Sequence, residues 1–97
     1  MIKTKIDAHE FLREMWYYEV FTFMDTDLEA LSRYGLCFWE IEKTPEGFRV
    51  SRWIPDRGQD EERILDFDEC VRFVLKHKKG INDQLCRDGF GSYDWEE

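Results

Sequence analysis

Apolar side chains near the N-terminus recur every three or four residues, which is the spacing of an amphipathic helix. Asp7 is suited to the N-cap of this helix, and Glu10, three residues later, completes the pattern of a capping box. The apolar stripe comprises Phe11, Leu12, Met15, Trp16, Val20 and Phe23. Residues 20–24 read Val-Phe-Thr-Phe-Met, which also suits a β-strand. The pattern therefore favours one long helix and leaves open a helix that ends near Tyr18 and is followed by a short strand.

A second, short helix is predicted between residues 27 and 35. Asp25 or Asp27 offers a side-chain oxygen for its N-cap, and Gly35 is placed to end it in the left-handed conformation. Its apolar positions are Leu28, Leu31 and Tyr34. Two helices are therefore expected before any sheet begins.

Between residues 36 and 54 the period of the pattern changes to two, which predicts a β-hairpin. The connection over residues 44–47, Thr-Pro-Glu-Gly, has the length and the proline position of a loop built on a type I turn. If Lys43 lies opposite Phe48, the apolar positions share one face, and they are Trp39, Ile41, Phe48, Val50 and Ile54. The other face then carries Glu40, Glu42, Arg49 and Ser51, with Glu42 opposite Arg49. A slip of one residue would mix the two faces, so the alternation specifies this register.

Residues 55–62 carry turn formers and charges and no apolar side chain, which predicts an exposed loop. A short third strand is expected over residues 64–67. Asp66 and Glu69 repeat the capping-box pattern and open a helix whose apolar stripe is Cys70, Val71, Val74 and Leu75. Gly80 is expected to close this helix after a last turn that complements the helix dipole and contains Lys76, His77, Lys78 and Lys79. A final helical piece is expected around residues 81–87.

These elements predict the α+β class, in the order helix, helix, strand, strand, strand, helix, helix, with a three-stranded antiparallel sheet packed on helices. A chain of 97 residues is long enough for one hydrophobic core and too short for two, so residues 1–97 are expected to form a single domain. Residues 88–97 are expected to be an acidic, aromatic and flexible tail of this domain.

The net charge of the chain limits the kinds of molecule that it is expected to bind. There are 22 Asp and Glu residues against 14 Lys and Arg residues, which gives a formal net charge of −8. This charge repels phosphate backbones and anionic lipid, and so argues against direct binding to nucleic acid or to membranes. It attracts basic surfaces, including those of proteins that themselves hold nucleic acid. A protein with a basic surface is therefore the expected partner, and the oligomeric state stays open.

The sequence gives little support for catalysis or for a bound cofactor. The cysteines Cys37, Cys70 and Cys86 lack the close pairing of a zinc site, and they are interpreted as reduced side chains of a cytoplasmic protein. The N-terminus lacks the pattern of a signal peptide, and no apolar run approaches the ~20 residues that span a bilayer. The chain is therefore expected to be neither an enzyme nor a metal protein.

Acidic and aromatic side chains are the candidates for a binding surface. Phe38 and Trp53 fall opposite each other on the polar face of the hairpin, and aromatic residues are preferred anchors of protein interfaces. The candidate partner-binding residues are Phe38, Trp53, Asp56, Asp60, Glu61, Glu62, Asp66, Asp68, Tyr93, Asp94, Trp95 and Glu96. The plainer interpretation of the same acids is a solvated surface that keeps the protein from aggregating.

The favoured hypothesis is a small, acidic, non-catalytic protein-binding protein. It would inhibit or regulate a basic, nucleic-acid-handling protein by acting as a nucleic-acid mimic. Acidic inhibitors that phages and mobile elements direct against host defence nucleases, such as anti-CRISPR proteins, are of this physical kind. The alternative is an adaptor or subunit of a larger protein assembly, and a small carboxylate-based enzyme or metal protein comes third.

Overall fold

The computed structural model describes residues 1–88 of the chain. Its elements follow in the order α1 (Lys5–Glu14), β1 (Val20–Met24), α2 (Leu28–Tyr34), β2 (Phe38–Thr44), β3 (Gly47–Ile54), β4 (Gly58–Leu65), α3 (Phe67–Lys76) and α4 (Lys78–Arg87). The α+β class is therefore confirmed. The predicted three-stranded sheet and the predicted order are wrong, because β1 adds a strand between the first two helices. Apart from Asp88, the predicted tail lies outside the described residues.

Helix α1 begins earlier and ends earlier than the pattern predicts. Thr4 is its N-cap: the Thr4 hydroxyl accepts a hydrogen bond from the Asp7 amide at 3.3 Å, and the Asp7 carboxylate accepts one from the Thr4 amide at 2.9 Å. The Asp7 carboxylate also accepts the Lys3 amide at 2.8 Å, and the bonds from Lys3 and Thr4 lower the pKa of Asp7. The predicted capping box of Asp7 with Glu10 is wrong, because Asp7 fills the third helical position.

Residues 20–24 form strand β1, so the favoured long helix is wrong and the open alternative is the one observed. β1 pairs antiparallel with β2, from Val20 opposite Glu42 to Met24 opposite Phe38. This pairing satisfies the backbone of a run rich in β-branched and aromatic residues. It also turns Phe23 into the core, where 1% of its surface is exposed. Pairing with the hairpin therefore decides between the two structures that the local sequence permits.

The hairpin of β2 and β3 has the predicted register, with Lys43 opposite Phe48 and Phe38 opposite Trp53. Every side chain of its predicted apolar face is buried. Gly47, at the start of β3, has a φ of +145°, and a side chain there would collide with the carbonyl oxygen of Leu65. Glycine is therefore required at this position both by its own conformation and by the neighbouring strand.

Strand β4 replaces most of the predicted loop. It pairs antiparallel with β3 and leaves residues 55–57 as a turn, so the expected loop over residues 55–62 and the expected strand over residues 64–67 are wrong in their bounds. The inward positions of β4 include Glu61 and Arg63, which lie opposite Arg52 and Val50. Charged residues at inward positions remove the apolar alternation by which a strand is recognised.

Helices α1, α3 and α4 pack on one face of the sheet, termed here the inner face. Helix α4 lies against β1, α1 against α3, and α3 against β3 and β4. The capping box of Asp66 and Glu69 opens α3 as predicted. Gly80 does not close α3, because α3 ends at Lys76 and Gly80 lies inside α4. The largest fully buried side chains of the core include Ile2, Leu12, Phe23, Ile41, Val50, Val71, Val74 and Ile81.

Replacing Gly80 with alanine is expected to destabilise the fold. A methyl group there would overlap the carbonyl oxygen of Met24 and approach the Phe23 ring to 3.1 Å. Overpacking of this kind costs about 1–3 kcal/mol, which outweighs the gain of about 1 kcal/mol that alanine brings to an exposed helical site. Urea unfolding should therefore show Gly80→Ala to be less stable than the native chain.

The matched control is Lys78→Ala, at an exposed position of the same helix, which should change the free energy of unfolding by less than about 0.5 kcal/mol. If Gly80→Ala were more stable than the native chain, α4 would not approach β1 as closely as described.

Candidate protein-binding surfaces

The outer face of the sheet, opposite the helices, displays an aromatic pair. Phe38 and Trp53 face each other across β2 and β3, between Met24 on β1 and Gln59 on β4. Trp53 exposes 38% of its surface, and Phe38 is half-buried. The indole nitrogen of Trp53 donates to a carboxylate oxygen of Glu40 at 2.9 Å, which orients the ring. The cross-strand pair predicted from the register therefore lies on the open face of the sheet.

Carboxylates follow this pair in one direction along the strands. We term the outer sheet surface the set formed by Phe38, Glu40, Glu42, Arg49, Trp53 and Glu62. The guanidinium of Arg49 binds the carboxylate of Glu42 and lies 3.2 Å from that of Glu62. The pKa of Arg49 is raised, chiefly by the hydrogen bond from its guanidinium to Glu42. Three glutamates in this set face one arginine, so the surface keeps an excess of negative charge.

Two of the predicted acids, Asp60 and Glu61, are directed to arginines of the inner face instead. A bulge shifts the register of β3 and β4 between Arg52 and Trp53. The Nε of Arg52 donates to the Asp60 carboxylate at 3.0 Å, and the Nε of Arg63 lies 3.2 Å from the Glu61 carboxylate. The expected single acidic loop is therefore a strand whose carboxylates are divided between two faces and paired with cations.

The remaining predicted acids occupy separate local positions. Asp56 is exposed in the turn between β3 and β4 with a φ of +76°. The Asp66 carboxylate caps α3, and Asp68 is exposed in the first turn of that helix, where its charge complements the helix dipole. The other candidates, Tyr93, Asp94, Trp95 and Glu96, lie outside the described residues.

A cleft of about 760 Å³ opens on the inner side, between the start of α2 and helix α3. Its buried carboxylate, Asp25, is 2% exposed and accepts hydrogen bonds from the Trp39 indole and the Asp27 amide, each at 2.9 Å. The charged residues that line the cleft have both signs, and they are Asp25, Asp27, Arg52, Glu61, Arg63, Glu69, Arg72 and Lys76. The hydrogen bonds of Asp25 give it a structural role that joins the β1–α2 connection to β2.

His77 lies at this cleft inside an aromatic cluster. Its ring centroid is 4.5 Å from that of Phe73 and 5.3 Å from that of Trp39. Burial lowers the pKa of His77. The nearby cations Lys76 and Arg63 act in the same direction, whereas the carboxylates of Asp25 and Asp27 oppose the shift. The imidazole therefore favours its neutral form and serves in packing, not as a cation at the end of α3.

The three cysteines behave as separate side chains. Burial raises the pKa of Cys70 to about 12 and also raises that of Cys37, so both remain protonated thiols, while Cys86 is exposed. Within residues 1–88, His, Cys, Asp and Glu side chains form no group of three or more that could hold a metal ion. The same stretch contains no helix with both the length and the apolar character needed to cross a membrane.

The connection between α1 and β1 is a second exposed aromatic feature, and the hydrophobic pattern does not predict it. Residues 16–18, termed here the aromatic loop, are Trp16, Tyr17 and Tyr18, and they expose 80%, 62% and 64% of their surfaces. The predicted place of Trp16 on the helical stripe is wrong, because α1 ends at Glu14. Three consecutive large aromatic residues cannot share one face of a helix, and this is the signal by which the loop could be recognised.

The free energy of unfolding is expected to decrease as the pH falls below 6.5, the ordinary pKa of histidine, because the folded state lowers the pKa of His77. In that range the unfolded chain binds the proton more readily, so the stabilisation is complete above pH 6.5 and is lost as the pH falls toward the folded pKa. His77→Phe keeps an aromatic ring and removes the titration. Urea unfolding between about pH 6.5 and pH 5 should therefore show a weaker pH dependence in the variant. Equal pH dependence of the two proteins would contradict the neutral, partly buried state of His77.

The candidate binding sites described above are thus two exposed aromatic surfaces and one cleft lined by charges of both signs. The outer sheet surface combines an oriented aromatic pair with excess negative charge, and the aromatic loop projects from the end of α1. No protein-family model, curated protein or solved structure matches this chain.

Proposed function

We propose that this chain is a non-catalytic protein-binding protein that inhibits or regulates a basic, nucleic-acid-handling partner through its outer sheet surface. The observation that carries the proposal is the pair of Phe38 and Trp53 on an open sheet face flanked by carboxylates. Trp53 offers a large contact area. Because its hydrogen bond to Glu40 already restricts the ring, less side-chain conformational entropy is lost on binding. An aromatic centre with a polar, charged rim is the common anatomy of a protein interface.

The charge of this surface favours a basic partner. Its carboxylates outnumber its cations, within a chain whose formal net charge is −8. The side chains of Arg49 and Glu62 are 45% and 42% exposed, and exposed ion pairs contribute only about 0–1 kcal/mol. An arginine or lysine of a partner can therefore take the place of Arg49 beside Glu62 at little cost. An acidic face of this kind presents negative charge to a site that binds nucleic acid, as the phosphates of nucleic acid do. A phage or mobile-element inhibitor of a host defence nuclease would act in this way.

A role as an adaptor or subunit is favoured by a separate observation. The aromatic loop precedes Val20 at one end of β1, whereas Phe38 pairs with Met24 at the other end. Two exposed aromatic surfaces on one small domain allow it to contact two partners at once. Association through the aromatic rings alone would depend little on salt, which distinguishes this role from the first.

Variants of the outer sheet surface test the proposal. Each variant serves as bait for affinity capture from host lysate, with elution by a salt gradient and identification by mass spectrometry.

With the purified partner, calorimetry should show Trp53→Ala to bind at least about tenfold more weakly, as expected for a central interface tryptophan. Glu40→Gln combined with Glu62→Gln should weaken binding and flatten its salt dependence, because two carboxylate charges are lost.

Glu10→Gln combined with Glu46→Gln is the matched control, since it makes the same change in net charge at two exposed sites away from this surface. It should leave the affinity and its salt dependence unchanged. A basic nucleic-acid enzyme that salt and competing DNA or RNA both release would support the inhibitor proposal. A salt-resistant partner of another kind would contradict that proposal and favour the adaptor, and an equal loss in the control would show that net charge alone drives binding.

A further inference from the structure

A groove of about 400 Å³ lies beside the aromatic loop, where α1, β1 and the end of α4 meet. Its apolar lining consists of Phe11, Met15, Trp16, Val20, Phe21 and Leu85. The charged residues that line it, among those the structure describes, are Glu14, Glu19 and Asp88. The groove therefore joins an apolar floor to a negative rim.

Lys43 holds the aromatic loop in place beside this groove. Its ammonium donates to the carbonyl oxygens of Leu12, Arg13 and Met15 at 3.1–3.2 Å, at the end of α1. Its carbonyl oxygen accepts the Tyr18 amide at 2.6 Å, and its own amide donates to the Glu19 carbonyl at 3.3 Å. The same ammonium lies 5.4 Å from the centre of the Tyr17 ring. The loop is thus fastened to the sheet through both the backbone and the side chain of one residue.

The backbone of the loop is strained at Tyr18, which has a φ of +69°. This conformation is unfavourable for a residue with a side chain, and it persists where the surrounding structure holds it. The Glu19 carboxylate contributes to this restraint, because it accepts the Trp16 amide at 2.8 Å. A loop that is already ordered loses little entropy when a partner covers its aromatic rings.

We infer that this groove binds the apolar face of a basic amphipathic helix of a partner protein. Apolar side chains of that helix enter the groove, and Trp16, with 80% of its surface exposed, folds over them as an anchor. Lysines or arginines that flank the apolar stripe pair with the carboxylates of Glu14, Glu19 and Asp88. The sign of the rim is what selects a basic segment.

Other occupants of the groove would bring like charges together. The C-terminal segment of the chain has Phe90 two residues after Asp88, but as an occupant it would bring the acidic residues Asp94, Glu96 and Glu97 to an acidic rim. A second copy that docked groove to groove would bring three rim carboxylates against the same three. Juxtaposed like charges disfavour both occupants relative to a basic helix.

A designed peptide tests the groove directly on the chain of residues 1–97. The probe is a helix-forming peptide with leucine at positions i, i+3, i+4 and i+7 and lysine elsewhere, and its match has glutamate in place of lysine. NMR signals of the indole N–H groups report on Trp16 at the groove and on Trp53 at the outer sheet surface. We expect the lysine peptide to shift the Trp16 signal and not the Trp53 signal, and the glutamate peptide to bind at least about tenfold more weakly.

Variants then assign the binding to named side chains. Trp16→Ala should weaken lysine-peptide binding at least about tenfold. Glu14→Gln combined with Asp88→Asn should weaken it and flatten its salt dependence, because two rim charges are lost. Glu10→Gln combined with Glu46→Gln is the matched control and should bind as the native chain does. Because the groove and the outer sheet surface have separate residues and separate signals, failure of one leaves the other untouched.

Several results would overturn the inference. Equal affinity for the lysine and glutamate peptides would show that the rim does not select a basic segment. If Phe90→Ser raised the peptide affinity at least about tenfold, the chain's own C-terminal segment would be the occupant, since a competing occupant lowers the competent fraction. If the Trp16 signal moved with protein concentration in the absence of peptide, a second copy would be the occupant. A shift of the Trp53 signal alone would place the peptide on the outer sheet surface.

Discussion

The ammonium group of Lys43 reaches from β2 to the end of α1 and satisfies carbonyl oxygens that the helix itself leaves without partners. The backbone of the same residue bonds to the connection between α1 and β1. One residue therefore joins a helix end, a connecting loop and the sheet. Where α1 stops, where β1 starts and how the aromatic loop is exposed all depend on this junction. The groove beside the loop is a further result of it.

Local pattern was sufficient for the parts of the fold whose two faces differ clearly in polarity. The register of β2 and β3 follows from alternation alone, because a slip would bury Glu40 or expose Ile41. The cap of α3 follows from Asp66 and Glu69 in the same way. The run over residues 20–24 satisfies both helical and strand periods, so its structure is decided by a partner strand that is distant in sequence. Gly80 shows the same limit, since its role depends on the approach of β1 to α4 and not on its neighbours in the chain.

The candidate surface was predictable to the extent that it depends on the hairpin. Phe38 and Trp53 face each other because the register requires it, and Glu62 joins them only through β4, which the pattern does not reveal. The pairing of Asp60 with Arg52 was equally hidden, because it depends on that strand and on its bulge. Composition counts acids without showing which of them have cationic neighbours. The aromatic loop was hidden for another reason: Trp16 also fits the apolar stripe of a helix until the end of α1 is known.

Strand β4 lies at one edge of the sheet and runs for eight residues with β3 as its neighbour. An exposed edge of this length is a template on which another chain can extend the sheet. Along β4 the chain reads Asp60, Glu61, Glu62 and Arg63, and a copy that aligned with it would have to desolvate these charges. The charged residues that hide the strand from sequence patterns therefore also disfavour pairing of two molecules through this edge. A more regular, more apolar β4 would be easier to recognise and would carry a greater risk of amyloid-like growth.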